Sequence, residues 1–329
     1  MRYVSAVSVA IFVLAALFGA TPVAGQQPIM IKLGNVHEVD EPIQAAHKRF
    51  AELVAKRTNN QIQVQIFPAS QLGTEQELLE GVQMGSLHMS ENSTAAVGRF
   101  LPELEAFTAP YAWRNVDHML KVARGPIGQE LIERLVKARG MRILDLGWLY
   151  GHRDLTTKGK PIYKPADLRG VKIRTMPTQV TLETIRAMGA NAVPMDWKEV
   201  YLGLQTGMID GQETPPSIIY SAKLFEVQKF VMLTEHITQN QIVLINEKFY
   251  QGLSPEFQRI LQETAVEAGN YMNELVLKAE KDDLERLKAK GMTVIQPDVE
   301  AFRQATKEVY KKLADKWQPN FWQRLQDAK

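Results

Sequence analysis

The amino-acid sequence predicts an α/β fold with two lobes joined by one long helix. Three observations support this prediction. Strand and helix patterns alternate as β-α-β-α-β in the first part of the chain, which is typical of a parallel sheet covered by helices. A second α/β unit begins after Gly151, and 329 residues are enough for two domains. A helical pattern between residues 254 and 291 would extend for about 54 Å at about 1.5 Å per residue, which exceeds one small domain.

The elements of the first unit are predicted from alternation and capping signals. Apolar residues alternate with glutamines over residues 61–66, the period-two pattern of a half-buried strand. Thr74 followed by Glu77 has the spacing of a capping box and starts a helix. Short apolar runs at residues 31–33 and 87–90 predict the neighbouring strands.

The later elements follow the same logic. An apolar run over residues 141–150 predicts a strand that ends at Gly151, and residues 242–245 predict a buried strand that returns to the first sheet. A capping serine followed by proline starts the long helix. Residues 299–316 have the pattern of a last long helix. The predicted lobes are residues 26–150 with 240–279 (lobe I) and residues 151–239 with 280–329 (lobe II).

Residues 1–25 have the features of a cleavable signal peptide. Arg2 is followed by an apolar run over residues 4–20 and then by small residues that end at Gly25. No later segment reaches the roughly 18 apolar residues of a membrane span. The chain contains no cysteine, which excludes disulfides, thiolate metal sites and a lipid-anchored form. We therefore expect an exported protein of the periplasm.

Composition and motifs exclude several functions. The chain is 45% hydrophobic and 23% charged, as in a globular protein with a sizeable core, and its net charge of +2 does not indicate a nucleic-acid partner. It lacks G-x-G-x-x-G, Walker A, G-x-S-x-G and H-E-x-x-H motifs, and no two histidines are three or four residues apart. We therefore predict no cofactor, no metal and no catalytic residues.

The most informative stretch covers residues 166–216. Val171 and Ile173 alternate with Lys172 and Arg174, which predicts a short strand with Arg174 near its end on the polar face. Ligands of α/β sheets bind beyond the carboxyl ends of the strands. A guanidinium there can hold a carboxylate through two parallel hydrogen bonds, which lysine cannot do.

This stretch resembles the DctP-like family, the extracytoplasmic solute-binding proteins of tripartite ATP-independent periplasmic (TRAP) transporters. The resemblance rests on DLRGVKIR, GAN-x-VPM, EVYLGLQTGMIDGQE and FEVQKF, in this order and spacing, and extends more weakly over residues 31–309. It implies a two-lobed periplasmic-binding-protein-like fold whose long helix crosses both lobes. It also implies that Arg174 holds the carboxylate of a small organic acid and that membrane transporter subunits are partners. We expect a monomer.

Three more candidate residues belong to the second unit. The resemblance implies that Arg153, in the segment GHR, supplies a second cationic contact. Two arginines near one small site repel each other unless an anion lies between them, which favours an acidic ligand. Trp197 would pack on the ligand body at the start of a helix that Asp196 and Glu199 cap. Thr214 stands where the resembled proteins often have asparagine.

Five candidates belong to lobe I or to the return into it. Glu75 starts the helix after SQLG and matches an acidic ligand-contacting position of the family. Asn92 and Ser93 follow a predicted strand end and could bind hydroxyl groups. His37 lies in the first loop, where the family has a polar ligand-binding residue, and Gln241 lies where the chain returns to the first lobe.

Several ligands and functions stay open at this stage. We prefer a hydroxylated sugar acid such as a uronate, because lobe I offers several polar candidates. A C4-dicarboxylate would use both arginines but would be repelled by Glu75. A secreted lyase or isomerase of sugar acids would need paired bases such as Glu75 and His37. A ligand-sensing module of a membrane receptor is a further alternative.

Overall fold

The computed structural model describes residues 27–328, so the predicted signal peptide lies outside the described residues. Within them, no helix combines the length and apolar character that a membrane span requires. The strands are β1 Ile29–Gly34, β2 Ile62–Phe67, β3 Met89–Ser93, β4 Met141–Thr157, β5 Lys172–Thr175, β6 Asn191–Pro194, β7 Gly211–Thr214, β8 Phe230–Asn246 and β9 Thr293–Ile295.

The helices confirm most of the predicted pattern. Thr74 and Glu77 form the predicted capping box, in which the Thr74 hydroxyl accepts from the backbone N–H of Glu77. The helices are α1 Pro42–Arg57, α2 Glu75–Met84, α3 Thr94–Val97, α4 Val116–Arg124, α5 Pro126–Arg139, α6 Gln179–Ala187, α7 Val200–Thr206, α8 Pro216–Ser221, α9 Glu247–Gln251, α10 Pro255–Ala289, α11 Val299–Thr306, α12 Lys311–Ala314 and α13 Phe321–Asp327.

All strands of the described chain join one mixed sheet, in the order β2-β1-β3-β8-β4-β7-β5-β6, with β9 paired to β8. β1 runs parallel to β2 and β3, whereas β5 runs parallel to β6 and β7. Between these two parallel groups lies the antiparallel pair of β4 and β8, each 17 residues long. The two α/β halves therefore share a continuous central pair of strands.

The predicted strand end at Gly151 is wrong, because β4 continues to Thr157. Gly151 has a φ angle of +126°, which other residues rarely adopt, and the register of β4 against β8 shifts between Leu149 and Gly151. The glycine therefore bends the strand without ending it. Arg153 consequently lies in the middle of a strand that both halves share.

The predicted long helix is confirmed as α10, which has 35 residues. Its capping serine, Ser254, accepts from the backbone N–H of Phe257 at 3.2 Å, and Pro255 occupies the first turn. α10 packs against α1 and β4 of the first half and against α8 and β9 of the second. It thus contacts both lobes.

One glycine in α10 is explained by close packing. A Cβ atom at Gly269 would lie 2.6 Å from Cδ1 of Trp148 and from Oδ2 of Asp145. Trp148 is buried and donates Nε1–H to the carbonyl of Ala265 in α10. We expect Gly269→Ala to lower the free energy of unfolding by about 1–3 kcal/mol through overpacking, although alanine favours helices by about 1 kcal/mol. Urea unfolding measures this.

The matched control for that substitution is Glu285→Ala, at an exposed position of the same helix. It should change the free energy of unfolding by no more than about 0.5 kcal/mol. A Gly269→Ala variant as stable as the wild type would show that α10 can move away from β4 at little cost.

The C-terminal segment differs from the prediction. Residues 299–316 form two short helices, α11 and α12, with a turn between them. The turn lets Trp317 reach the first half, where its Nε1–H donates to the carbonyl of Pro102 at 3.0 Å. Arg114 donates to the carbonyl of Gln326 at 2.7 Å. The described contacts of residues 317–328 lie with the first half, and we propose that these residues belong to lobe I, while the assignment of residues 299–316 to lobe II stays a prediction.

Candidate functional site

A cavity between the two lobes brings most of the predicted ligand-binding residues together. It has about 590 Å³ of space that protein atoms do not fill, including its mouth open to solvent. The carboxyl ends of β1 and β3 face those of β5 and β7 across it. Of the predicted residues, His37, Glu75, Ser93, Arg153, Arg174, Trp197, Thr214 and Gln241 line the cavity, whereas Asn92 does not.

Arg174, in β5, is a buried cation of the cavity wall with only 3% of its surface exposed. Its Nε donates to the carbonyl of Met195 at 2.9 Å, and its guanidinium lies 5.4 Å from the ring centre of Trp197. In residues 27–328 it forms no ion pair, and its two terminal nitrogens have no hydrogen-bond partner. Burial lowers the pKa of Arg174 to about 10, an effect that the nearby Glu213 carboxylate partly offsets. Arg174 therefore stays charged at neutral pH.

The anion expected near the two arginines is present in the protein itself, as the carboxylate of Glu213. Arg153 is 2% exposed and contacts both carboxylate oxygens and the backbone carbonyl of Glu213. Its remaining terminal nitrogen donates to the amide oxygen of Gln239. The charge of Arg153 is thus neutralised and four of its five N–H donors are engaged, so the pair of arginines is not in itself evidence for an acidic ligand.

Glu213 is the centre of this ion-pair network. It is fully buried and accepts from the hydroxyl of Thr175 at 2.8 Å, and Nε2 of His236 lies 3.4 Å from its Oε2. Burial alone would raise the pKa of Glu213, but Arg153 and His236 outweigh burial and hold this pKa at about 2. Glu213 is therefore ionised and fixes Arg153 in the wall.

Trp197 and Thr214 complete the wall on the lobe II side. Trp197 is half-buried at the start of a 3₁₀ turn, Trp197–Glu199, where the indole can contact the carbon skeleton of a ligand. Asp196 makes no side-chain capping bond, so the predicted capping box is absent. Thr214 is the last residue of β7, is 2% exposed and pairs with Asp154 of β4.

His37 lies between two buried carboxylates on the lobe I side. Its Nδ1 is 2.9 Å from Oε2 of Glu41 and 3.1 Å from the hydroxyl of Tyr150. Its Nε2 is 3.1 Å from Oε2 of Glu91 and 3.3 Å from the amide nitrogen of Gln241. Burial alone would lower the pKa of His37, but Glu91 and Glu41 outweigh burial and raise it well above its usual value.

Glu75 extends this acidic wall towards the cavity. Its Oε1 accepts from the backbone N–H of Ser93 at 2.6 Å, and burial raises the pKa of Glu75. The side chain of Asn92 instead turns to its own lobe, where it donates to the backbone carbonyl of Glu75 and accepts from Ser90. Asn92 therefore supports Glu75 and does not face the cavity, because successive side chains of a strand point to opposite faces and its neighbour Ser93 is the one that lines the cavity.

The predicted site residues leave out several residues of the site, including Tyr150, Gln239 and Glu91. Tyr150 and Gln239 line the cavity, and Glu91 is fully buried behind His37. Glu91 did leave a signal, since a carboxylate inside a buried strand needs a partner. Across residues 27–328, no group of three or more His, Cys, Asp or Glu side chains is arranged to hold a metal ion.

Residues 33–316 match the family described as bacterial extracellular solute-binding protein, family 7 (DctP). The chain is 35% identical over 291 residues to the 2,3-diketo-L-gulonate-binding periplasmic protein YiaO of Escherichia coli K12, covering 88% of this chain and 87% of that one. It is 31% identical over 311 residues to the C4-dicarboxylate-binding periplasmic protein DctP of Rhodobacter capsulatus, covering 92% of each.

The fold is also similar to a solved structure. A TRAP periplasmic solute binding protein of Actinobacillus succinogenes 130z with bound L-galactonate matches with a TM-score of 0.87 at 32% identity, over 91% of this chain and 98% of that one. This confirms the predicted two-lobed fold. The matched proteins are solute-binding proteins and not enzymes, as the sequence predicts. The chain therefore belongs to the DctP family of bacterial extracellular solute-binding proteins, which serve TRAP transporters.

Proposed function

We propose that the protein captures a hydroxylated sugar acid in the cavity and delivers it to the membrane subunits of a TRAP transporter. The proposal rests on the guanidinium of Arg174 in the cavity wall, unpaired within the described residues. Its buried guanidinium lines the cavity, and its terminal nitrogens have no partner in the described chain. A planar guanidinium with free N–H groups suits a carboxylate, which it binds through two parallel hydrogen bonds. Arg174 is thus assigned as the carboxylate clamp.

The acidic lobe I side favours a hydroxylated ligand over a dicarboxylate. Glu41 and Glu91 contact the single His37 ring, and Glu75 adds a further carboxyl group that lines the cavity on this side. The Glu75 carboxyl lines the cavity, where it can accept from a ligand hydroxyl in addition to the backbone N–H of Ser93. A second ligand carboxylate would meet like charge there. The two ends of the cavity therefore suit a molecule with a carboxylate at one end and hydroxyls at the other.

The other residues have more limited roles in this proposal. Trp197 packs on the carbon skeleton, while Thr214 and Ser93 offer hydroxyl groups to the ligand. Arg153 is a fixed hydrogen-bond donor in the cavity wall, because Glu213 neutralises its charge. Asn92, predicted as a direct hydroxyl contact, acts behind the wall, whereas His37 lines the cavity but has both ring nitrogens engaged by protein groups.

The matched relatives support a sugar acid. YiaO is named for 2,3-diketo-L-gulonate, and the Actinobacillus succinogenes protein was solved with L-galactonate. The relative from Rhodobacter capsulatus is named for C4-dicarboxylates, which makes this ligand class the alternative to exclude.

Binding should stabilise the closed arrangement of the lobes, because the proposed contacts come from both sides of the cavity. A thousandfold preference for the closed form corresponds to about 4 kcal/mol. The closed form would then dock, as a monomer in the periplasm, on the membrane subunits.

We expect L-galactonate and related aldonates or uronates to raise the midpoint of thermal unfolding, and succinate and malate to leave it unchanged. The reason is that a ligand that binds only the folded state stabilises it by RT ln(1 + [L]/Kd), or about 2.7 kcal/mol at a hundredfold excess over Kd. A thermal-shift screen at equal ligand concentrations, followed by calorimetry, measures this.

The same screen should be repeated with Glu75→Gln, which removes the carboxylate charge and keeps the shape of the side chain. It should weaken the binding of sugar acids and relax the rejection of succinate. A wild-type protein stabilised by succinate and not by any sugar acid would overturn the proposed ligand class.

A further inference from the structure

The groups around His37 determine the protonation state of its ring. A carboxylate oxygen lies at each ring nitrogen, 2.9 Å from Nδ1 and 3.1 Å from Nε2, and the side chains of Glu41 and Glu91 are fully buried. Each of these contacts is favourable only if the ring nitrogen carries a proton. His37 is therefore an imidazolium, with N–H donors at both nitrogens.

The donor at Nε2 determines the orientation of Gln241. Glu91 lies within ion-pair distance of Nε2 but makes no hydrogen bond, whereas an amide atom of Gln241 lies 3.3 Å away in hydrogen-bonding geometry. Two N–H groups cannot bond each other, so the amide atom nearest His37 must be the oxygen. The two ends of an amide have nearly the same shape, and only their partners distinguish them.

We propose that Gln241 presents its oxygen to His37 and its NH₂ group to the ligand. The amide atom on the far side from His37 is buried without a partner in the described chain, and Gln241 lines the cavity. A buried donor left unpaired costs about 1–3 kcal/mol, so an oxygen of the ligand is its natural partner. This inference rests on the proposed function, since it assumes that the cavity holds a sugar acid.

Two residues of lobe I would then recognise different groups of the ligand. Glu75 accepts hydrogen bonds and therefore recognises hydrogen-bond donors of the ligand. Gln241 donates hydrogen bonds and therefore recognises an oxygen acceptor of the ligand, such as a carbonyl or the lone pair of a hydroxyl. His37 and Glu91 are positioning residues, which act on the ligand through Gln241.

Fluorinated ligands separate these two roles, because C–F accepts hydrogen bonds weakly and cannot donate them. Calorimetry would compare L-galactonate with its deoxy and deoxyfluoro analogues at each carbon. At the position read by Gln241, the deoxy analogue should bind about tenfold more weakly, as expected for a loss of about 1.4 kcal/mol, and fluorine should restore part of this loss. At the position read by Glu75, both analogues should bind weakly.

In Gln241→Met, the difference between the fluoro and deoxy analogues should disappear, whereas Gln323→Met, at an exposed position away from the cavity, should retain it. No Gln241-dependent fluorine effect at any carbon would overturn the proposal. If L-galactonate does not bind the wild type at all, the proposed ligand class fails, and the amide orientation is then decided by the next measurement.

Nitrogen-15 NMR of the ligand-free protein tests the orientation directly. Both ring nitrogens of His37 should carry protons at pH 7, and the proton on Nε2 should show no cross-peak to the Gln241 amide protons. Glu91→Gln should reduce the proton occupancy of the ring. A ring with one proton, or a strong cross-peak between these groups, would overturn the proposal whether or not L-galactonate binds.

Discussion

Arg174→Met should raise the Kd for sugar acids by at least about a hundredfold while the protein stays folded. Truncating one partner of a buried charge pair costs about 2–5 kcal/mol, much of it because the other charge is left buried without a partner. Here the abandoned charge would be the ligand carboxylate. Arg174→Lys should also weaken binding markedly, since an ammonium cannot form two parallel hydrogen bonds. Isothermal titration calorimetry with L-galactonate measures both effects.

The folded state provides the control for this experiment. Arg174 forms no ion pair within the described residues, so in the absence of ligand Arg174→Met should cost only the hydrogen bond to the Met195 carbonyl, about 1–3 kcal/mol of the free energy of unfolding. A variant that unfolds early would point to a structural role. A folded variant with wild-type affinity would show that another group holds the carboxylate.

Glu213→Gln should lower the free energy of unfolding by about 3–5 kcal/mol at pH 7. The substitution leaves the Arg153 guanidinium buried without its counter-ion, and breaking a buried pair from one side carries a cost of this size. Urea unfolding at pH 7 measures it. Glu285→Gln, an exposed carboxylate of α10, is the matched control and should be nearly neutral. Wild-type stability in Glu213→Gln would mean that Arg153 does not depend on this carboxylate.

The same residue predicts a dependence on acid. The pKa of Glu213 is lowered from 4.5 to about 2, so its stabilising effect is present above pH 4.5 and is lost as the pH falls towards 2. The wild type should therefore lose stability over this window, and Glu213→Gln should lack this part of the loss. Unfolding curves at pH 7, 4 and 3 compare the two proteins.

The sequence was sufficient to predict the fold class, since alternation and capping are local signals. The capping box at Thr74 and the start of α10 at Pro255 were found in this way. The sequence alone does not predict the lengths of β4 and β8, because Gly151 resembles a strand end unless its partner strand is known. Strand pairing depends on residues that lie far apart in the chain.

The same limit applies to the site. The positions of Arg174 and Trp197 followed from the resemblance to the family, and the structure places both at the cavity. The hydrogen-bond and ion-pair partners of Arg153 and His37 could not be predicted from the sequence or from the resemblance. Glu213 lies 60 residues from Arg153, and Gln241 lies 204 residues from His37, so no local pattern connects them. Those partners decide which charges are available to a ligand.

The continuous strands β4 and β8 have a mechanical consequence. Together with α10 they form three segments that pass from one lobe to the other. Because three segments connect the lobes, any change in the relative arrangement of the lobes has to be shared by β4, β8 and α10. On the proposed function, a membrane partner that separates the lobes to release the solute has to bend all three segments.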